Sequence, residues 1–264
     1  MAASEASSPT VAEIVARYYD LEHEGLTADV ALYAELARRA QGPVLELGCG
    51  TGRILAPLAR AGASVVGIEI SPPMVARARA RLAHSAVSPG QWQVVQADAR
   101  TLRLPDRFAL VLAPLDFLAY FPAQADQRAV LATARRHLLP TGQLVIDVSF
   151  PPTSLHGQPE GVLVHQWTHR EADGSTITKS WVREIDPAAQ VQHLRAFYEL
   201  AQPDGLLRRW VHALSLRYYY RFELELLLAG SGFAVDGVYG SYALEPLQAD
   251  SARLLITARP DGGL

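Results

Sequence analysis

One stretch restricts the possible folds more than any other: Val44-Leu45-Glu46-Leu47-Gly48-Cys49-Gly50-Thr51-Gly52-Arg53. An apolar run ends in alternate glycines, and Ile54 to Ala61 follows with helical spacing. Glycines at 48, 50 and 52 allow positive φ and let a ligand approach the backbone, while the helix behind them offers unpaired N–H groups. That suits a nucleoside-containing cofactor; the ligand-free alternative is a tight strand-to-helix turn. A dinucleotide fingerprint would need its third glycine where Arg53 stands, and a phosphate-cradling loop would need a Gly-Lys pair that is missing. Glu69 ends the next strand, 21 residues beyond Gly48, where an acidic side chain can accept both ribose hydroxyl protons and repel a 2′-phosphate. Small residues are common inside such a loop because space is short, so Cys49 reads as a filler before it reads as a nucleophile.

Around this loop the pattern alternates. Val11 to Ala40 has helical spacing; strands are expected at Val44–Leu47, Ser64–Ile70, Trp92–Gln96, Phe108–Ala113 and Gln143–Val148, with helices at Ile54–Ala61, Ser71–Ala83 and Ala123–Leu138. Strands alternating with helices of this length indicate an α/β, doubly wound, mostly parallel sheet covered on both faces. After Phe150 the text changes: Pro151 and Pro152 break the pattern, and four strand-like runs follow, Val162–Ala172, Ser175–Ile185, Val191–Leu200 and Leu206–Leu216. Asp173-Gly174, Asp186-Pro187 and Pro203-Asp204-Gly205 separate them with turn chemistry, which predicts an inserted antiparallel meander. Its imperfect alternation leaves the buried face open. A helix from Arg221 and strands at Ala234–Tyr239 and Arg253–Ala258 complete the first sheet. The expected division is an N-terminal helical segment over residues 1–40, an α/β unit over 41–150 and 221–264, and the inserted β unit over 151–220.

Composition narrows the partners. Among 264 residues, 24 Lys and Arg stand against 27 Asp and Glu, a net charge of −3 that argues against a dedicated nucleic-acid binder and for a small-molecule substrate. With one Cys no intrachain disulfide can form, so a reducing, cytoplasmic setting is expected. The first thirty residues show neither a basic segment followed by an apolar run nor an apolar stretch of membrane-spanning length; the first ten, rich in Ala and Ser, read as a frayed terminus. Lys179 is the only lysine and Asn is absent, which reads as codon bias or heat adaptation.

Three motifs in order carry a family resemblance: Glu46-x-Gly48-x-Gly50-x-Gly52, then Val65-Val66-Gly67-Ile68-Glu69-Ile70-Ser71 with Met74, then Gln96-Ala97-Asp98-Ala99-Arg100. The chain resembles S-adenosylmethionine-dependent methyltransferases of the Rossmann-like class over roughly residues 40 to 150, and more loosely from Arg221 onward. The resemblance implies a mostly parallel sheet whose last strand is antiparallel, with S-adenosyl-L-methionine as cofactor and S-adenosyl-L-homocysteine as product. It implies that the backbone at Gly48 and Gly50 meets the methionine part, that Glu46 organises the loop, and that Glu69 holds the ribose. Ile70 and Met74 would lie near the adenine, Asp98 would accept from its amino group, and Ala99 would pack beside the ring. A Tyr-Asp pair early in the family, here Tyr19-Asp20, tends to fold over the cofactor. With Gly52 and Arg53 in the loop and Ala113 at the end of the fourth strand, these are the expected cofactor contacts.

Substrate should arrive at the carboxyl ends of the strands, near Ala113-Pro114-Leu115-Asp116-Phe117. Asp116 is the first polar candidate there, as a substrate-orienting group or, equally, a helix cap. The meander should stand over the same pocket, carrying His165, Trp167, His169, His193, Trp210 and His212. His165 and His169 are candidate proton acceptors, with half-exposed sheet histidines as the plainer reading. Four residues on one strand span roughly 13 Å at about 3.3 Å per residue, too far for joint metal ligation, and no metal is expected. Methyl transfer to N or O needs in-line positioning and no covalent intermediate. The layout is similar to that of methyltransferases acting on amino sugars, which also carry an antiparallel insertion after the fifth strand, and this favours N. RNA or protein methylation, or cofactor binding without chemistry, are the alternatives. The chain is expected to be a monomer or homodimer.

Overall fold

The computed structural model describes residues 9–85, 87–88, 90–151, 155 and 160–262. Most of the expected frayed terminus, and Pro152, lie outside the described residues. The chain begins with α1 (Val11–Glu22) and α2 (Ala28–Ala40), then β1 (Val44–Leu47), α3 (Leu55–Arg60), β2 (Val65–Glu69), α4 (Pro72–His84), β3 (Trp92–Gln96) and β4 (Phe108–Ala113). A single 3₁₀ turn at Phe117–Tyr120 precedes α5 (Gln124–His137) and β5 (Leu138–Ser149). Four strands follow: β6 (Val164–Arg170), β7 (Thr176–Asp186), β8 (Val191–Ala201) and β9 (Leu207–Arg217). The chain closes with α6 (Arg221–Ala229), β10 (Phe233–Tyr239) and β11 (Arg253–Pro260).

Seven strands form one sheet in the order β3-β2-β1-β4-β5-β11-β10, in which β11 alone runs antiparallel to both of its neighbours. Apolar side chains alternate between two cores. Leu45, Val111, Ile146 and Ile256 pack under α5 and α6, through Val130, Leu131, Leu224 and Leu228. Val44, Leu110, Val145 and Leu255 pack under α2, α3 and α4, through Tyr33, Leu58 and Val75. Burial on both faces explains why these strands read as unbroken apolar runs. The order reverses beside β1, so the crevice at the carboxyl ends of β1 and β4 is where a ligand enters a doubly wound sheet.

The strands β6 to β9 make a separate antiparallel sheet, paired in sequence order. One face, with Ile177, Ala196 and Tyr198, packs on Ile14 and Tyr18 of α1. This answers the question that alternation left open: α1 decides which face is buried. Thr10 caps α1 reciprocally with Glu13, through Glu13 N–H to Thr10 Oγ1 at 3.3 Å and Thr10 N–H to Glu13 Oε2 at 2.7 Å. The helical pattern expected from Val11 to Ala40 breaks at residues 23–27, where Gly25 weakens a helix and Thr27 opens the next. β5 starts at Leu138, earlier than expected, because Leu138 pairs with Phe108 before the register shift to Gln143. No helix among the described residues is long and apolar enough to cross a membrane.

Candidate active site

β1 ends in the glycine loop, and all three glycines adopt positive φ: 71° at Gly48, 52° at Gly50 and 74° at Gly52. A cavity of about 510 Å³ opens over this loop, within the range of small-ligand sites. Of the expected cofactor contacts, Tyr19, Glu46, Gly48, Gly50, Arg53, Glu69, Ile70, Met74, Asp98 and Ala99 line it. Gly52 and Ala113 do not. Gly52 instead lets the loop close on α4, where an added Cβ would come within 3.3 Å of Ala78, and Ala113 is buried in the core under α5.

Glu69 ties the loop together before any ligand arrives. Its Oε2 accepts Gly50 N–H at 3.1 Å and its Oε1 accepts Ser71 N–H at 2.8 Å, so two of about four acceptor positions of the carboxylate remain. Glu46 is 2% exposed, and its Oε2 has no hydrogen-bond partner among the described residues. Burial pushes its carboxyl pKa far up; Arg53 opposes the shift, and Glu69 and Asp29 add to it. Such an orphaned buried acceptor is costly unless a donor meets it. Arg53 is itself fixed from α2, paired with the fully buried Asp29 and donating from Nη1 to Leu26 O at 2.8 Å.

From α1, Asp20 accepts Thr51 Oγ1–H at 2.6 Å and pairs with Arg81 of α4, which clamps the helix onto the loop. Tyr19 thereby lies beside Gly50, whose added Cβ would meet the Tyr19 ring at 3.8 Å. On the far side Asp98 is partly occupied: Arg100 holds it through Nη2 to Oδ2 at 2.7 Å and keeps its carboxyl below the usual range. Cys49 is buried, which raises its thiol well above the ordinary value and leaves it without nucleophilic thiolate.

The acceptor side begins where β4 ends. Leu115 and Asp116 are consecutive left-handed residues, with φ of 47° and 62°, a conformation that non-glycine residues hold only when neighbours enforce it. Asp147 of β5 is the enforcer. Its Oδ2 accepts Leu115 N–H at 3.1 Å, Tyr33 O–H at 2.8 Å and Tyr242 O–H at 3.0 Å, and its backbone carbonyl accepts Asp116 N–H at 2.9 Å. Arg253 of β11 joins Asp147 at 2.7 Å to Asp116 at 3.1 Å. The Asp116 carboxylate also takes Ser149 Oγ–H at 2.8 Å and the Ser149 N–H, and the residue is not part of the cavity wall. Its site is therefore structural, turned to the strand ends, while Pro114, Leu115, Phe117, Tyr120 and Phe121 face the ligand space. Asp147 escaped the sequence reading, although it is the only charged residue of β5.

His165 and His169 also stand outside the cavity. Both are exposed on β6, an edge strand, where His165 Nε2 meets Thr168 Oγ1 at 2.9 Å. The histidine that does reach the cavity is His212 of β9, beside Leu214; on α1, Ala12, Val15 and Tyr19 line the same space. Alternation with Trp210 and Leu214 was the available signal, because His212 shares their inner face. Among the described residues, no cluster of three or more His, Cys, Asp or Glu is placed to hold a metal.

Residues 44–142 match a family described as a methyltransferase domain. The chain is 28% identical over 234 residues, 86% of each chain, to the dTDP-3-amino-3,6-dideoxy-alpha-D-glucopyranose N,N-dimethyltransferase of Streptomyces fradiae. It is also 28% identical over 237 residues, 88% of this chain and 87% of the other, to the cypemycin N-terminal methyltransferase of a Streptomyces species. The solved structure of the CcbJ methyltransferase from Streptomyces caelestis superposes with a TM-score of 0.72 at 26% identity, covering 89% of each chain. The chain is an S-adenosylmethionine-dependent methyltransferase.

The residues present fit that cofactor. The unpartnered Glu46 Oε2 offers an acceptor to its ammonium, the free positions on Glu69 suit ribose hydroxyls, and Met74 with Ala99 supplies an apolar bed for a flat ring. In this methyltransferase Glu69→Ala is expected to weaken S-adenosylmethionine binding by about 1–3 kcal/mol, roughly 5- to 150-fold, because ribose hydroxyls lose a charged acceptor. Calorimetric titration checks it, and unchanged affinity would remove Glu69 from the ribose.

Proposed function

We propose that this methyltransferase acts on an amine nitrogen of a small molecule. The observation that carries this reading is the cover over the site: α1 and β9 lie across the glycine loop, so the acceptor must enter a cavity of about 510 Å³ whose lining includes Tyr19, Phe117, Tyr120 and Phe121. A small molecule meets that condition, and a net charge of −3 offers phosphates no general attraction. Nitrogen is supported by the relatives, one an N,N-dimethyltransferase of an amino-sugar nucleotide and one an N-terminal methyltransferase, each matching most of the chain. Aromatic faces also suit a substrate that is cationic when it arrives. A reducing cytoplasm fits a chain whose only cysteine is a buried thiol.

When bound, S-adenosylmethionine supplies the methyl group, transferred as the acceptor's lone pair forms the new bond and the C–S pair returns to sulfur. The protein's part is placement. Glu69 and the glycine loop fix one part of the cavity, and the clamped Leu115–Asp116 segment fixes the adjoining wall made by Leu115 and Phe117. Holding two reactants in line is worth roughly 7 to 11 kcal/mol, so no covalent intermediate is required. The test uses methyl-labelled cofactor with amino-sugar nucleotides, short peptides and their hydroxyl counterparts. Label on an amine, in one or two successive steps, is the expected result. Label confined to hydroxyl compounds, or to RNA or protein, would overturn the reading.

A further inference from the structure

Among the histidines of the described residues, one lines the cavity and has no role assigned so far. His212 lines the cavity from the inner face of β9, and neither ring nitrogen has a hydrogen-bond partner among the described residues. The other histidines with a marked setting are engaged. His137 donates from Nδ1 to Thr133 O at 2.8 Å and accepts Leu104 N–H at 2.9 Å, while His193 meets Ser215 Oγ at 3.0 Å. A half-buried imidazole that lines a ligand cavity with neither nitrogen engaged is available to a proton.

The surroundings of His212 are unusual for this chain. Its partner across the ladder is Ala196, whose own partner on β7 is Trp181; Lys179, the only lysine, stands one inward-facing position along β7, opposite Tyr198. Lys179 is 7% exposed, paired with Glu22 at the end of α1, and its ammonium lies 5.4 Å from the Tyr198 ring centroid. We propose that His212 is the proton acceptor of the reaction, taking the proton that the substrate ammonium must lose before it can be methylated, with the charged Lys179–Glu22 pair set diagonally from it on the same face of the small sheet. The inference rests on the amine reading above.

The step balances simply. A substrate ammonium gives one N–H proton to the free imidazole nitrogen and regains its lone pair; that pair attacks the methyl carbon, and the product leaves as the methylated ammonium. His212 then returns its proton to water, ready for the next turnover. For this the ring must be neutral near pH 7. Burial lowers its pKa below the ordinary imidazole value and Lys179 lowers it further, while Glu22 opposes. The remaining titratable groups facing this end of the cavity are phenols: burial raises Tyr198 and Tyr19 well above the usual tyrosine value and Tyr120 to about 12, so all three stay neutral. Burial is thus the main reason the ring stays unprotonated, and Lys179 adds to it.

Three readings on the full-length protein test this. In ring-proton NMR without cofactor or substrate, the histidine signal missing from His212→Gln should titrate below the ordinary imidazole range. Lys179→Gln, which retains a donor for Glu22 but drops the charge, should move that signal upward. In turnover with a methylated amine, His212→Gln should lose on the order of 100-fold in kcat. Its cofactor affinity should stay unchanged, which shows that it is folded, and the low-pH limb assigned to the ring should vanish. Lys179→Gln should shift that limb in the same direction as the NMR signal. Wild-type turnover on hydroxyl compounds alone would overturn the amine reading, whereas a His212→Gln loss on those compounds would still support the proton role. A His212→Gln enzyme within threefold of wild type with an unchanged pH profile, or a His212 signal titrating at or above the ordinary value, overturns the proposal.

Discussion

Asp147→Ala is expected to lower the unfolding free energy by about 3–5 kcal/mol, because removing one member of a buried ion pair strands the other. Asp147 is 0% exposed, and its carboxylate satisfies Tyr33 O–H, Tyr242 O–H, Leu115 N–H and Arg253 Nε at once. Alanine leaves the buried Tyr33 hydroxyl, the part-buried Tyr242 hydroxyl and an amide without their acceptor and gives Arg253 only Asp116 and Ser149. Measured against total stabilities of about 5–15 kcal/mol, this is a large fraction. At roughly 2–4 °C per kcal/mol for chains approaching this length, the melting temperature should fall by on the order of 10 °C. Asp147→Asn keeps an acceptor for the tyrosines and should lose less. Thermal and urea unfolding of the two variants separates charge from hydrogen bonding; equal losses would mean that the charge carries the whole effect and the retained acceptor contributes nothing. Release of Leu115 and Asp116 from their left-handed conformation should also raise KM for the acceptor more than the cofactor's Kd.

Gly48→Ala should all but abolish cofactor binding, by 100-fold or more, with a modest loss of stability. The φ of 71° costs an L-residue about 1–2 kcal/mol, and an added Cβ would stand 2.2 Å from Phe117 Cδ2 and 2.6 Å from Cε2. The Phe117 ring packs edge-on against Phe121 at 5.3 Å, so it must swing into the space that the cofactor and acceptor share. Gly50→Ala makes the control. There φ is 52° but the nearest atom to an added Cβ is 3.8 Å away, on Tyr19, so backbone strain acts without a collision. Calorimetric titration should therefore rank the loss at 48 well above that at 50. Equal effects would show that strain, and not the Phe117 collision, governs the loop.

Much of the large sheet was legible because its inner strands are buried on both faces, which writes them as apolar runs; Val44–Leu47 and Phe108–Ala113 needed no adjustment. The glycine loop was legible for a different reason, since positive φ at close spacing admits few residue types. Contacts between distant segments were not legible. Asp116 sits at the strand end where substrate is expected, but Arg253, 137 residues later, turns its carboxylate aside. His165 and His169 lie on β6, outside the cavity wall: which face of the small sheet is inward depends on where α1 lies, and that contact joins residues some 150 positions apart. The break at Gly25 and Thr27 was readable in principle, yet the apolar spacing on either side overrode it.

The lone lysine has a practical meaning. A protease that cuts only after lysine has one internal bond to attack, between Lys179 and Ser180 in the middle of β7, and in the native protein that bond is buried beneath α1. Digestion must wait until the helix lifts and the strand leaves its ladder, so the rate of appearance of two fragments clocks the opening of the wall over the cavity. Any ligand that fastens Tyr19 and its helix to the glycine loop slows that clock, and the chain thereby carries its own timer for the traffic of molecules through its binding chamber.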